Sequence, residues 1–191
     1  MAYAPTQKTK WIETGYRHFI EYGPKELKIT NIAHDAGVSR TTFYHFFTDL
    51  DDFIDHLLGH HRELAKVFHA ELKKAKTYTD LFKIMASEPY LTGILFHRQL
   101  LLHKDNPYFY QTYQALNKIG NEIVFPLWAV YYGYEGNSLV GKKIHLMLLD
   151  IWYLNIQKSD FNQEAFLENS NNIRRQFKAF AGSHYLQNLV K

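Results

Sequence analysis

Cysteine is missing from all 191 residues, which excludes disulfides, thiol catalysis and cysteine-ligated metals. The first residues carry no apolar stretch of the signal-peptide kind. Long hydrophobic runs are missing too: the densest, residues 123–132 and 144–156, are too short or too interrupted to cross a bilayer. A cytoplasmic chain with no membrane partner is the expectation. There is no repeat, low-complexity tract or long linker. Charge of one sign is scarce, with a net of +3, so composition alone gives no argument for a polyanionic partner. No nucleophile, base and orienting residue form a recognisable constellation, so a non-enzyme without a cofactor is expected. Apolar mass is what the chain does have. Hydrophobic residues make up 46%, with 14 Tyr, 14 Phe and 3 Trp, enough for one core or for a small head and a larger body.

Apolar residues recur at helical spacing throughout, which predicts an all-α fold of about nine helices. The first covers residues 7–22, with Ile12, Tyr16, Phe19 and Ile20 on one face, and ends at Gly23-Pro24. Two short helices follow before residue 48. A long one is predicted over residues 50–74, capped by Asp49 with Asp52 three positions on. Thr77 with Asp80 opens the fifth. The sixth is predicted from about Pro89 to His103. The seventh runs from Asp105-Asn106-Pro107 to about Tyr132, with a kink expected at Pro126. Residues 133–137 read as a turn. The eighth covers about Ser138 to Gln157. The ninth runs from about Gln163 to Phe180, behind an Asn162 cap flanked by Phe161 and Phe166.

Residues 29–47 carry the most information. Ile32, Ala33 and Ala36 form a small apolar face, and Gly37 can take the left-handed turn that ends a helix. Ser39 suits the N-cap of the next helix. Phe43 and Phe47, four apart, face inward together. Arg40, Thr41, Thr42 and Tyr44 are left near the N-terminal end of that helix, where a helix-turn-helix meets the major groove and its phosphates.

The series Ile32-Ala33, Ala36-Gly37-Val38-Ser39 and Thr42-Phe43-Tyr44-His45-Phe46-Phe47 resembles the DNA-binding signature of TetR/AcrR-family transcriptional regulators. Phe19-Ile20-Glu21-Tyr22-Gly23 is similar to the end of that family's first helix, and the likeness covers roughly residues 10–55. The resemblance implies a three-helix head over residues 1–48 and a body over 49–191 that binds an effector and dimerises. It implies a repressor on a palindromic double-stranded operator, released by a small apolar or aromatic effector through movement of the fourth helix. Arg40 is the candidate for guanine readout, and Thr41 for a thymine methyl or base edge. Ser39, in the same turn, is a further candidate DNA-binding residue. Thr42, Tyr44 and His45, with Lys28 and Thr30 at the start of the second helix, are candidates for phosphate. Two positions depart from the family pattern. Lys28 stands where a threonine is common. Leu50 stands where a lysine would meet a phosphate, ahead of acidic Asp51, Asp52 and Asp55. That acidic run keeps a second reading open, a helical dimer whose head binds a protein partner instead of DNA.

Aromatic residues crowd the sixth to eighth helices. Phe96, His97, Arg98, Tyr110, Tyr113, Trp128, Tyr131 and Trp152 are the candidate effector residues, with Gln99 as a further polar anchor. The candidate dimer surface is Ile144, Met147, Leu148 and Ile151 on the eighth helix, with Phe166, Ile173, Phe177 and Phe180 on the ninth. Asp52, His56 and His60 fall at i, i+4 and i+8 beside His61, but without identifiable further ligands they read as a polar face, and no metal is expected.

Overall fold

A computed structural model of the chain describes residues 6–88, 90–134, 139–156 and 161–188, with side chains as far as residue 180. These residues form an all-α fold: α1 Gln7–Tyr22, α2 Ile29–Ala36, α3 Phe43–Phe46, α4 Leu50–Leu72, α5 Tyr78–Met85, α6 Tyr90–Leu102, α7 Pro107–Tyr132, α8 Leu139–Asn155 and α9 Gln163–Asn188. The expected helix starts at Pro89 and Ser138, the end at Gln157 and the rest of the turn after Tyr134 lie outside the described residues. α7 continues unbroken through the exposed Pro126, and α9 runs past Phe180 to Asn188.

Local chemistry sets most boundaries. Thr6 accepts the Thr9 amide at the start of α1. Asp49 accepts the Asp52 amide at 2.8 Å, while the Asp52 carboxylate reaches back to the Thr48 amide. Thr77 and Asp80 form a complete capping box. Asn106 caps α7 ahead of Pro107. Gly37 closes α2 with φ 62°, a left-handed conformation that costs glycine no Cβ clash.

The head is an aromatic knot. Trp11 of α1 is fully buried, edge-on to Phe43 at 5.2 Å and to Phe53 of α4 at 6.4 Å. Phe47 closes on Phe53 at 4.8 Å. Gly15 lets α1 and α4 approach: a Cβ there would stand 2.2 Å from Phe53 Cζ and 2.7 Å from Cε1. Phe53 has no exposed surface and is hemmed by the rings of Trp11, Phe43 and Phe47. Gly15→Ala is therefore expected to lose about 1–2 kcal/mol, because overpacking outweighs the gain in helix propensity. Thermal melts check this, and a raised Tm would show that the two helices can part.

The head does not stand apart from the body. Phe96 of α6 lies stacked between Tyr16 and Phe19 of α1, each at 4.2 Å. Gln99 donates to the Ile20 carbonyl at 2.7 Å. α7 packs against α4, α6 and α8, and α9 closes over α5 and α8.

Candidate DNA-reading face and interior cavity

The recognition segment begins as a tight 3-10 turn, Arg40–Thr42, that leads into α3. Ser39 accepts the Thr41 amide at 3.3 Å and pairs with the Thr41 hydroxyl at 2.7 Å. Arg40, Thr41, Tyr44 and His45 are exposed, as are Lys28 and Thr30 at the start of α2. Tyr44 stands 58% exposed directly after the fully buried Phe43, so the segment has an anchored back and an open front. Thr42 departs from the expected phosphate role. Its hydroxyl accepts from Trp11 Nε1 at 3.1 Å and donates to the Ser39 carbonyl at 2.6 Å. Both partners lie inside the head, which leaves Thr42 as the post that ties the recognition turn to α1.

The two departures at the head's edges have structural accounts. Lys28 occupies the α2 cap position without a side-chain cap bond and pairs with Glu26 at 3.3 Å. Leu50 is half-buried and packs on the core. Asp51 and Asp52 occupy the first turn of α4, where the helix dipole favours negative charge. The acidic run thus serves the helix start.

Inside the body, α4 to α9 enclose a cavity of about 160 Å³. Phe68, Phe82, Trp128 and Trp152 line it, together with His69, His97, Asn117, Asn121 and His145. Among the described residues no Asp, Glu, Lys or Arg stands in its wall. Of the eight expected effector residues, His97, Trp128 and Trp152 reach this cavity. The other five serve elsewhere. Phe96 fills the junction with α1. Arg98 donates from Nε to the Tyr153 carbonyl at 3.1 Å, bracing α6 on α8. Tyr113 donates to Asp150 of α8 at 2.5 Å. Tyr131 bonds Asn171 of α9, with the Arg174 guanidinium over its ring at 4.7 Å. Tyr110 is half-buried and stacks on Tyr113 at 6.3 Å. Gln99 likewise serves the junction with α1 and not the cavity.

A buried polar chain joins the cavity to the head. The Tyr16 hydroxyl of α1 pairs with His61 Nδ1 at 2.8 Å. His61 Nε2 pairs with His97 Nδ1 at 3.2 Å, and His97 Nε2 with Asn117 Oδ1 at 3.0 Å. With the amide oxygen accepting, every bond donates the same way, from Tyr16 toward Asn117, and both imidazoles are neutral. Burial favours that state: it holds His61 well below the usual histidine range, and brings His97 down to about 4. Burial also raises the Tyr16 hydroxyl, which keeps it a donor. Sequence reading missed Tyr16, His61 and Asn117. The signal for His61 was available, because it falls on the apolar face with Leu57, Leu58 and Leu64 and not with Asp52, His56 and His60. Among the described residues no three side chains of metal-ligating type are grouped to hold an ion.

The expected dimer residues divide sharply. Leu148, Phe166 and Ile173 are buried at 5%, 1% and 3% exposure, covered by the chain's own helices and unable to serve an external face. Ile144 and Phe177 are half-buried, whereas Met147, Ile151 and Phe180 are exposed.

Residues 12–57 match the family model described as bacterial regulatory proteins, tetR family. The N-terminal segment is a TetR-family domain. Its matched stretch runs from α1, through the recognition turn, into the first two turns of α4. Over nearly its whole length the chain also shares the fold of solved TetR-family regulators. One is a putative TetR-family transcriptional regulator from Mesorhizobium loti, at 16% identity and TM-score 0.58, covering 91% of this chain and 96% of that one. Another is a regulator described as TerR/AcrR family from Aquifex aeolicus, at 17% identity and TM-score 0.56, covering 92% and 99%. A third is the regulator FadR from Bacillus subtilis in complex with stearoyl-CoA, at 16% identity and TM-score 0.57, covering 88% and 96%. No curated protein matches the sequence. No helix among the described residues is long and apolar enough to cross a membrane.

Proposed function

We propose that the protein is a cytoplasmic, homodimeric transcriptional repressor, with a DNA-reading head over residues 1–48 and an effector-binding body over 49–191. An effector in the α4–α9 cavity releases it from a palindromic operator. The exposed front of the recognition segment carries this reading. Arg40, Thr41, Tyr44 and His45 project from a turn whose back is held by Phe43, Phe47 and the Thr42–Trp11 bond. Arg40 reads base edges, Tyr44 and His45 grip phosphates with Lys28 and Thr30, and Ser39 shapes the turn. A second copy supplies the matching half-site reader. Val140, Ile144, Met147, Ile151 and Leu154 repeat along α8 at alternating steps of four and three. That is the spacing of a helix-pairing stripe, and four of the five are exposed. Two heads then address half-sites about one helical turn apart. The Tyr16–His61–His97–Asn117 chain gives cavity occupancy a direct connection to α1, beside the α4 lever. The neighbour FadR, solved with stearoyl-CoA, supports a ligand role for the body cavity.

The test is selection from a random double-stranded DNA pool, with the wild type beside an Arg40→Ala/Tyr44→Ala double variant. Both side chains are exposed, so the variant should keep the wild-type Tm. The wild type is expected to enrich a palindrome. The variant should bind it about 10–100-fold more weakly, given roughly 1–3 kcal/mol for a good bidentate base contact. No enrichment at low salt would overturn the reading in favour of a head that binds a protein partner.

A further inference from the structure

On the reading of the cavity as the effector site, its wall restricts the chemistry of what it can hold. His145 of α8 lines the cavity wall and is 2% exposed. Its Nδ1 bonds the Asn121 side-chain oxygen. That oxygen is a pure acceptor, so Nδ1 carries the proton and Nε2 keeps its lone pair. Among the described residues Nε2 makes no hydrogen bond, yet the one unpartnered side-chain atom sealed from all open space is Arg174 Nε. Nε2 of His145 therefore touches open space, which for so buried a residue is the cavity. The rings of Trp128 and Phe125 lie 5.1 and 6.0 Å from the imidazole and fix its orientation.

Most of the rest of the wall is apolar or already paired, and among the described residues the His69 ring and the Tyr153 hydroxyl are further polar groups without a hydrogen bond. His97 and Asn117 are engaged with each other. Burial lowers His69, opposite Gly120, from the usual histidine range, which favours its neutral form. Burying an unpaired ionic group in such a wall is costly. The volume of about 160 Å³ matches the scale at which engineered cavities hold benzene, far short of a long acyl chain.

We propose that the cavity takes an uncharged, mainly apolar molecule of one or two rings, bearing one hydrogen-bond donor that bonds to His145 Nε2. A hydroxyl or ring N–H fits. A carboxylate or an ammonium does not, and a donor-free hydrocarbon binds more weakly.

Four small probes separate these possibilities: indole, which donates; indene, nearly isosteric and without a donor; benzoate; and benzylammonium. Calorimetric titration of the full-length protein without DNA should show indole binding about tenfold more tightly than indene, as one hydrogen bond predicts, with neither ion binding. In ring-labelled protein the His145 Nε2 resonance should move with indole and stay with indene. The second readout needs no variant, so it stands even if His145 substitutions fail to fold. Equal binding of indole and indene, binding of either ion at indole's strength, or no binding by any probe would each overturn the proposal. Operator release is read separately. Indole that binds but leaves operator affinity unchanged would count against the effector reading while supporting the ligand chemistry.

Discussion

Acidification from pH 7 to pH 4 is expected to destabilise this fold by on the order of 6 kcal/mol, chiefly through two histidines. Burial brings His97 to about 4 and His145 to about 3, against an ordinary value of 6.5. Each is neutral when folded and takes up a proton when unfolded. The stability they contribute is complete above pH 6.5, falls as the unfolded chain protonates below it, and stops falling at the folded values. At pH 4 the difference comes to roughly 3 kcal/mol for each group. A domain of this size has only about 5–15 kcal/mol in all. His61, shifted in the same direction by the same cause, adds to the loss. Asp35 is exposed and Asp52 and Asp80 are half-buried, and hydrogen bonds from His34, Thr48 and Thr77 hold their carboxyls below the usual range. Their share is lost mainly below about pH 4, so the two windows meet only between that pH and the His145 value of about 3. Denaturant titrations at stepped pH check this. His97→Gln, which keeps a neutral hydrogen-bonding group, should flatten the fall between pH 6.5 and pH 4. A profile flat from pH 7 to pH 5 in the wild type would show that these imidazoles are hydrated in solution.

The same histidines mark where the sequence stops being readable. Helix starts were legible because their chemistry is local: Asp49 accepts the Asp52 amide, Thr77 and Asp80 satisfy each other, and Asn106 accepts the Tyr108 amide behind Pro107, all within four residues. The Gly37 turn was legible for the same reason. Fold class and the exposure of Arg40, Thr41, Tyr44 and His45 followed from helical spacing. Periodicity reports which face of a helix is buried, though, and not which helix covers it. Phe96 and His97 are adjacent on α6 and both buried. One meets α1, and the other reaches α4 and α7. Phe166 and Ile173 carry an apolar stripe that suits a partner chain as well as it suits α5 and α8, and here the chain's own helices take them. His145 and Asn121 lie 24 positions apart, beyond any local spacing rule.

Phe96→Ala is expected to lower stability by roughly 3–5 kcal/mol, the usual range for a large aromatic deleted from a closed core, and Tm by about 10 °C. Phe96 has no exposed surface and is sandwiched by Tyr16 and Phe19, with interplanar angles of 3° and 19°. The His61 ring lies 4.6 Å away. Stacked rings at this separation add about 0.5–1.5 kcal/mol each beyond the area they bury. The ring sits on the body side of the proposed boundary at residue 48 and packs into the head side, so its loss strips support from both at once. A single cooperative transition at lower temperature is expected, not the separate melting of a head. The side chain does not line the cavity, so the indole affinity of the folded variant should stay within about twofold of wild type. That outcome would place Phe96 in the coupling of α1 to α6. A large loss of indole binding with Tm unchanged would return it to the ligand site, and two resolved melting transitions would show that the head folds independently of the α6 contact.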